Sequence, residues 1–309
     1  MDLHPDSRAV LDLIADAPPL DTLTPAQNRE NNARAGALRG AVQELAEVRE
    51  DEIDGVPVRI YVPHGLGARP PAFVYFHAGG FVVGSPQMGD ATVREVAVEA
   101  GAVAISADFR RAPETPFPGA VEDALTVTRA VLEGRGGPDL DPHRVAVLGE
   151  SSGGNLAAVV AQQLRGSTPG LVHQGLVYPY LEPITARGGS RDEFAEGYVP
   201  TARDLAYYSA AYAAEADPGD TRLSPARERD LTGLPPATVL TAGCDPLRDE
   251  GEDYAEALAA AGTPVTSVRF AGHVHGFLHL AALIGAARTA RRLLGAELRA
   301  AFAEERTTG

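Results

Sequence analysis

The sequence predicts an α/β fold, with a mostly parallel central sheet flanked by helices and a helical cap. From residue 56 onward, short β-branched apolar runs alternate with amphipathic segments. Several of these runs are continuously apolar, as in strands that are buried on both faces. Residues 1–45 and about 182–223 do not fit the alternation. We expect them to form a cap over the edge where open α/β sheets bind ligands, although both could instead be peripheral packing helices.

The predicted elements follow from these runs and from the residues that end them. Helices are expected at Asn155–Leu164 and at Glu250–Ala261, the second ending at Gly262 as a C-cap. Residues 1–45 are assigned to the N-terminal part of the cap and 46–309 to the catalytic domain, with the cap insertion at 182–223. The predicted strands, each bounded by Gly, Pro or Asp, are Val56–Val62, Ala72–Phe76, Val103–Ala107, Arg144–Leu148, Gly175–Tyr178, Thr238–Ala242 and Val265–Phe270.

Composition excludes several classes of partner. The 309 residues carry a formal net charge of −15 and no basic run, which argues against nucleic acid and anionic membranes as partners. Cys244 is the single cysteine, so no intrachain disulfide is expected. No leader peptide or membrane-length apolar run is recognised, which predicts a cytoplasmic protein. No metal site is predicted, because no His/Asp/Glu cluster has ligand spacing. A homodimer is left open.

A candidate nucleophile lies in the segment 144–155. Gly149, Ser151 and Gly153 match the pattern G-x-S-x-G between a predicted strand and a predicted helix. In that context a sharp, strained turn raises the serine hydroxyl above the sheet, at the N-terminus of the helix. The alternative is a loop in which Ser151 or Ser152 merely caps the helix.

A glycine pair follows an early strand, in the segment 75–81. Acyl transfer requires N–H donors for the oxyanion, and losing one costs roughly 2.7–4 kcal/mol. We therefore assign the N–H groups of Gly79 and Gly80 to the oxyanion hole, with that of Ser152 as the third. His77 is expected to hold the shape of this loop rather than to act as a base.

An acid and a base follow the nucleophile at the ends of two late strands. Asp245 comes directly after the run 238–242, and His275 follows the run 265–270, in the chain order Ser, Asp, His that this arrangement uses. His275 would take the Ser151 proton, and Asp245 would hold the imidazole tautomer. His273 is the competing base. Asp249, Glu250 and Asp253 are rival acids, but a place in the first turns of a helix explains them.

Four motifs resemble those of the bacterial hormone-sensitive-lipase-like esterases, the family IV carboxylesterases. They are residues 77–80 for HGGG, 108–114 for DYRLAPE, 149–154 for GDSAGG, and Asp245-Pro-Leu-Arg-Asp249 together with His275-Gly-Phe277. The resemblance covers about residues 55–295. It implies a capped α/β-hydrolase fold and cofactor-free cleavage of short- to medium-chain esters, with Ser151, Asp245 and His275 as the triad and Gly79, Gly80 and Ser152 as oxyanion donors.

The sequence departs from these motifs at a few positions. Ala78 replaces the first glycine of HGGG and is expected to narrow the alcohol side of the site. Glu150 replaces Asp, for which a tolerated surface change is the simplest interpretation. Arg111 replaces Leu in a motif taken as structural.

The predicted activity is that of a serine carboxylesterase acting on a small-molecule ester. The alternatives are a deacylase, lactonase or amidase specialised for one metabolite, and a non-catalytic small-molecule receptor on the same scaffold. Five aromatic residues are expected to line the pocket, although the three tyrosines could equally pack inside the cap: Phe81, Tyr207, Tyr208, Tyr212 and Phe277.

Overall fold

A computed structural model describes residues 2–34, 38–136, 139–182, 185–213 and 215–304. Within these residues, eight strands form one sheet in the order β1-β2-β4-β3-β5-β6-β7-β8. The first strand pairs antiparallel with β2, β2 pairs antiparallel with β4, and all other pairs are parallel. The strands are β1 Glu47–Ile53, β2 Val56–Val62, β3 Ala72–Phe76, β4 Val103–Ala107, β5 Val145–Glu150, β6 His173–Val177, β7 Ala237–Cys244 and β8 Val265–Val274.

Helices cover both faces of the sheet, because its parallel strands are apolar on both sides. On one face, α3 (Asp90–Ala100) and α9 (Ala286–Ala303) pack together over a core that includes Phe73 and Tyr75. On the other face, α4 (Gly119–Leu132), α5 (Ser152–Gln163) and α8 (Arg248–Ala260) enclose a core that includes Val74 and Phe76. Among the helices in the described ranges, none is long and apolar enough to cross a membrane.

The two stretches that break the strand and helix alternation contain short helices. Residues 1–45 contribute α1 (Pro5–Ile14) and α2 (Pro25–Arg34), and residues 182–223 contribute α6 (Ser190–Glu193) and α7 (Ala202–Ala213). Residues 1, 35–37, 183, 184 and 214 of these stretches, together with 137, 138 and 305–309 of the predicted catalytic domain, lie outside the described residues.

All seven predicted strands are present, with ends that differ by a few residues. The eighth, β1, was missed because its sequence EVREDEI is charged and mostly exposed at the edge of the sheet. An Asp54-Gly55 turn joins it to β2, and both turn residues have positive φ, 49° and 86°. Asp-Gly between two strands is a strong hairpin signal, so the sequence did contain evidence for this strand.

Two buried histidines predict that the protein loses stability in mild acid. Burial lowers the pKa of His173 on β6 to about 4 and that of His77 to about 3. The unfolded chain takes up protons near the ordinary pKa of about 6.5. The folded state, in which both rings are neutral, therefore has its full stability above that pH. This stability is lost as the pH falls towards the folded-state pKa values. Between pH 7 and pH 5, we expect each ring to cost roughly 2 kcal/mol of unfolding free energy.

Urea denaturation at pH 7, 6 and 5 measures this loss. His173→Gln is expected to remove the contribution of one histidine, roughly 2 kcal/mol, from the pH dependence of the unfolding free energy. The glutamine amide can replace the 2.9 Å contact of the ring Nε2 with Thr238 Oγ1, so the variant should fold. The exposed His64 provides the matched control, His64→Gln, which should leave the slope unchanged. Equal slopes in the wild type and His173→Gln would contradict the prediction.

Candidate active site

The predicted nucleophile lies on the turn between β5 and α5. Ser151 has φ 55° and ψ −118°, a strained conformation for a residue with a side chain. Its N–H donates to Val177 O at 2.9 Å. The turn is so tight that a Cβ on Gly149 would lie 1.9 Å from Gly153 O, and one on Gly153 would lie 2.0 Å from Phe76 O. Only glycine fits at either position, which explains the spacing of the motif.

Ser151, His275 and Asp245 form one line of short polar contacts. His275 Nε2 is 2.9 Å from Ser151 Oγ, and His275 Nδ1 is 2.7 Å from Asp245 Oδ2. The three residues follow β5, β8 and β7, whose carboxyl ends lie at the same edge of the sheet because these strands are parallel. This geometry lets the imidazole accept the serine proton while the carboxylate fixes its tautomer.

The carboxylate of Asp245 is completely buried and has two acceptor contacts. Besides His275, it accepts a 2.8 Å hydrogen bond from the N–H of Leu247 through Oδ1. Two of the rival acids bind elsewhere. Asp249 contacts Arg248 and the N–H of Ser190, and Glu250 forms a buried ion pair with Arg191 at 2.6 Å. Neither is in contact with His275.

Neither competing histidine contacts Ser151. His273 faces α1, where its Nδ1 is 3.1 Å from Ser7 Oγ and its ring centroid is 4.6 Å from that of His4. His77 is wholly buried, stacks on Phe109 at 4.2 Å, and places Nδ1 2.8 Å from Ala78 O. These contacts fit the expected role of His77 in holding the shape of the glycine loop, the loop within residues 75–81 that carries Gly79 and Gly80.

The glycine loop brings backbone N–H groups to the same pocket. Gly79, Gly80, Ser151 and Ser152 all line it. Among the described residues, no hydrogen-bond acceptor is paired with the N–H of Gly79 or Gly80. The N–H of Ser152 is at the first position of α5, where helix geometry leaves it without an intrahelical partner. Three donors are therefore available near the serine hydroxyl.

The motif at residues 108–114 forms hydrogen bonds with the segment that follows the glycine pair. The N–H of Ala112 donates to Phe81 O at 2.9 Å. Arg29, on α2, donates to Val82 O at 2.8 Å and binds both carboxylate oxygens of Glu114. Arg111 NH1 donates to Gly84 O. The N-terminal segment is thus tied directly to the loop that carries the glycine pair, a contact that the sequence did not indicate.

A cavity of about 1060 Å³ lies over the serine, and both segments predicted as cap contribute to its wall. Of the five aromatic residues predicted to line it, Phe81, Tyr208 and Tyr212 do so. Tyr207 and Phe277 do not. Asn28 donates to the Tyr207 hydroxyl at 3.1 Å, and the Phe277 ring is buried against Phe270 and Tyr178. Lining residues that the sequence did not indicate include Met88, Tyr180, Asn28, Leu223, Leu247 and His279.

Glu150 corrects another expectation. Its side chain is completely buried rather than on the surface, and it accepts hydrogen bonds from the hydroxyls of Tyr75 and Tyr178. A strand-end position beside a G-x-S-x-G serine was the one signal that could have suggested burial. Within the described part of the chain, no group of three His, Cys, Asp or Glu residues could hold a metal ion.

Comparisons with known proteins identify the same fold. A family model described as alpha/beta hydrolase fold matches residues 73–279. The chain is 42% identical over 256 residues to carboxylic ester hydrolase LipN of Mycobacterium tuberculosis, covering 79% of this chain and 67% of that protein. It is 38% identical over 304 residues to carboxylesterase NlhH of the same organism, covering 93% of each.

Solved structures give the same result. The ester hydrolase EH1AB1 from the metagenome of Lake Arreo, solved with a derivative of bipyridine phosphonate, superposes with a TM-score of 0.93 at 37% identity. That comparison covers 98% of this chain and all of the other. The hyperthermophilic esterase of the archaeon Pyrobaculum calidifontis has a TM-score of 0.91 at 34% identity, covering 97% and 99%.

Proposed function

The chain belongs to the α/β-hydrolase family, in its hormone-sensitive-lipase-like group, and we propose that it cleaves short- to medium-chain esters through an acyl-enzyme on Ser151. It is a carboxylic ester hydrolase of the serine esterase type, and the relatives that it matches are named carboxylic ester hydrolase and carboxylesterase. The observation that carries the assignment of residues is the line of contacts from Asp245 through His275 to Ser151, at 2.7 and 2.9 Å. A cytoplasmic location stays a prediction, and a homodimer stays open.

In the proposed cycle, His275 takes the Ser151 proton as the serine oxygen attacks the ester carbonyl. The N–H groups of Gly79, Gly80 and Ser152 bind the resulting oxyanion. His275 then gives its proton to the leaving alkoxide, and a water molecule releases the acyl group by the same steps in reverse. Asp245 keeps Nε2 of the neutral imidazole free to accept a proton and stabilises the imidazolium that forms.

The lining of the cavity supports an ester with an apolar acyl chain. A volume of about 1060 Å³ is at the upper end of the range for small-molecule sites, roughly 300–1,000 Å³. Apolar side chains such as Val83, Met88 and Leu223 contribute to its wall. Each buried CH₂ group of the substrate contributes up to about 0.8 kcal/mol, so binding improves with chain length until the cavity is filled.

Hydrolysis of p-nitrophenyl acetate, butyrate, octanoate and laurate tests this proposal. We expect turnover of the short- and medium-chain esters, with kcat/KM rising from acetate to octanoate by up to roughly tenfold for each 1.4 kcal/mol of added binding. Absence of turnover across the whole panel would contradict the proposal of a general esterase. If Ser151 still reacted with a phosphonate, the alternative of a deacylase, lactonase or amidase specialised for one metabolite would replace it.

Substitution of Gly80 tests the role of the glycine loop as the oxyanion hole. Gly80 has φ 58°, and a Cβ there would lie 2.2 Å from Cγ of the Tyr208 ring. Alanine must therefore displace the loop or the ring, and we expect Gly80→Ala to lower kcat by roughly 10²-fold or more, as for the loss of one oxyanion donor. Gly55→Ala is the matched control, because it has a similarly positive φ of 86° but nothing within 4 Å. Wild-type kcat in Gly80→Ala would exclude this loop from the site.

A further inference from the structure

A buried carboxylate lies directly beside the proposed nucleophile, outside the triad. Glu150 is the last residue of β5, and β5 lies between β3 and β6. Tyr75 on β3 donates to Glu150 Oε1, and Tyr178, which follows β6, donates to Oε2 at 2.7 Å. Nε2 of His279 is also 2.8 Å from Oε2, at ion-pair distance but without hydrogen-bond alignment. Three separate segments thus converge on one carboxylate.

The surroundings of Glu150 keep it ionised. Burial alone would raise its pKa, but the facing His279 and the hydrogen bonds from Tyr75 and Tyr178 outweigh burial, so the pKa lies below its ordinary value. The pKa values of Tyr75 and Tyr178 are well above theirs, first because of burial and then because of the facing carboxylate. Both tyrosines therefore stay protonated and act as donors. A buried charge persists only when it is paired in this way.

Tyr178 lies against the ring of the proposed base, and His279 follows that base in the chain. The Tyr178 ring is 4.5 Å from the His275 ring, centroid to centroid, at an interplanar angle of 53°. Tyr178 also has a positive φ of 34°, a conformation that the surrounding contacts must maintain. His279 ends the short 3₁₀ turn that begins at Phe277, two residues after His275. Tyr178 thus supports the face of the His275 imidazole, and the contact of His279 with Glu150 anchors the chain that follows His275.

We propose that Glu150 is a positioning residue, whose carboxylate holds Tyr178 and His279 so that the imidazole of His275 stays aligned with Ser151 Oγ. The inference rests on the proposed function, because it assigns a second support to the same base. Glu150 does not itself line the pocket, and it is not among the hydrogen-bond partners of Ser151 Oγ or the His275 ring. Its effect is expected on the rate of proton transfer rather than on substrate binding, since a misplacement of about 1 Å can cost roughly 10²-fold in rate.

The test compares Glu150→Gln, Tyr178→Phe and the double variant on p-nitrophenyl butyrate. A glutamine amide offers one acceptor oxygen and an NH₂ group where the carboxylate offered two acceptors. Each single variant should lower kcat by roughly 10- to 100-fold with KM within about twofold. The double variant should be no slower than the slower single one, because both changes remove the same contact. A role in overall stability alone would not give this pattern.

A matched control removes another buried tyrosine hydroxyl. Tyr254 on α8 accepts a 3.0 Å hydrogen bond from Gln162 and does not contact the triad, so Tyr254→Phe should retain wild-type kcat. Thermal melting establishes which variants are folded. If Glu150→Gln does not fold, the fall in kcat of Tyr178→Phe, which loses a single oxygen atom, decides the question.

Two outcomes would overturn the proposal. One is a folded Tyr178→Phe or Glu150→Gln with kcat within about twofold of the wild type. The other is a double variant whose loss is the product of the two single losses, since independent effects multiply. Should the wild type hydrolyse no ester, the proposed substrate class fails separately. The rate at which a p-nitrophenyl phosphonate labels Ser151 then replaces kcat, because that reaction also needs the base to be aligned.

Discussion

Ser151→Ala is expected to reduce ester hydrolysis by at least roughly 10⁴-fold, the largest effect of any single substitution in this chain. Alanine removes the oxygen that forms the acyl-enzyme, and among the described residues the hydrogen-bond partner of His275 Nε2 is Ser151 Oγ, at 2.9 Å. The oxyanion donors remain, so substrate binding should persist while turnover is lost. Steady-state hydrolysis of p-nitrophenyl butyrate measures the effect.

The matched control for this loss is Ser106→Ala. Ser106 is a buried serine on β4 whose hydroxyl has no hydrogen-bond partner among the described residues. Removing that hydroxyl should leave kcat within about twofold of the wild type, because it breaks no contact of the site. A comparable loss in both variants would mean that the fall in activity reports damage to the fold, and Ser151 would lose its assigned role.

Asp245→Asn is expected to lower kcat by roughly 10⁴-fold while leaving the fold intact. The carboxylate accepts from Leu247 N–H through Oδ1 and contacts His275 Nδ1 through Oδ2. Asparagine has one acceptor oxygen, and if that oxygen keeps the Leu247 bond, its NH₂ group faces His275 Nδ1. The imidazole must then carry its proton on Nε2, where it cannot accept the proton of Ser151. The substitution thus selects the inactive tautomer.

Asp249→Asn tests whether the fall in kcat is specific to position 245 or follows from the loss of any nearby carboxylate. Asp249 lies four residues further along and binds Arg248 and the N–H of Ser190. We expect its substitution to change kcat by less than about threefold, because neither contact leads to His275. Crystal structures or melting curves of both variants would show whether they fold alike. If Asp249→Asn were the slower enzyme, the assignment of the acid would be wrong.

The parallel part of the fold and the arrangement of the site were predictable because both depend on local sequence signals. Buried strands appear as apolar runs, and the residues that follow them meet at one edge of the sheet. Ser151 and Asp245 directly follow the buried strands β5 and β7, and His275 directly follows the edge strand β8. Parallel strands place these residues at one edge of the sheet, whereas the contacts of 2.7 and 2.9 Å also depend on the loops that carry the side chains.

The pocket wall was only partly predictable, because it depends on how distant segments pack. Phe277 follows the proposed base by two residues, yet its ring turns into the core against Phe270. Tyr207 is adjacent to Tyr208, but its hydroxyl is bound by Asn28 from the N-terminal segment. Adjacent helix positions differ by about 100° in direction, and aromatic character alone does not reveal which side faces the cavity.

The buried surroundings of Glu150 were missed for a related reason. Its partners Tyr75, Tyr178 and His279 are 75, 28 and 129 positions away in the sequence, and no local pattern connects them. A glutamate side chain is rarely buried completely unless it is paired. Only the tertiary structure shows that three partners from other segments surround this one.

The most direct test of the account is to locate the covalent adduct formed with a p-nitrophenyl alkylphosphonate. Intact mass and peptide mapping should show one adduct on the wild type, in the peptide that carries Ser151, and none on Ser151→Ala. His275→Ala should be labelled more slowly by roughly 10²-fold or more, because the general base is missing. An adduct on another residue, or labelling that persists in Ser151→Ala, would contradict the assignment of Ser151 as the nucleophile.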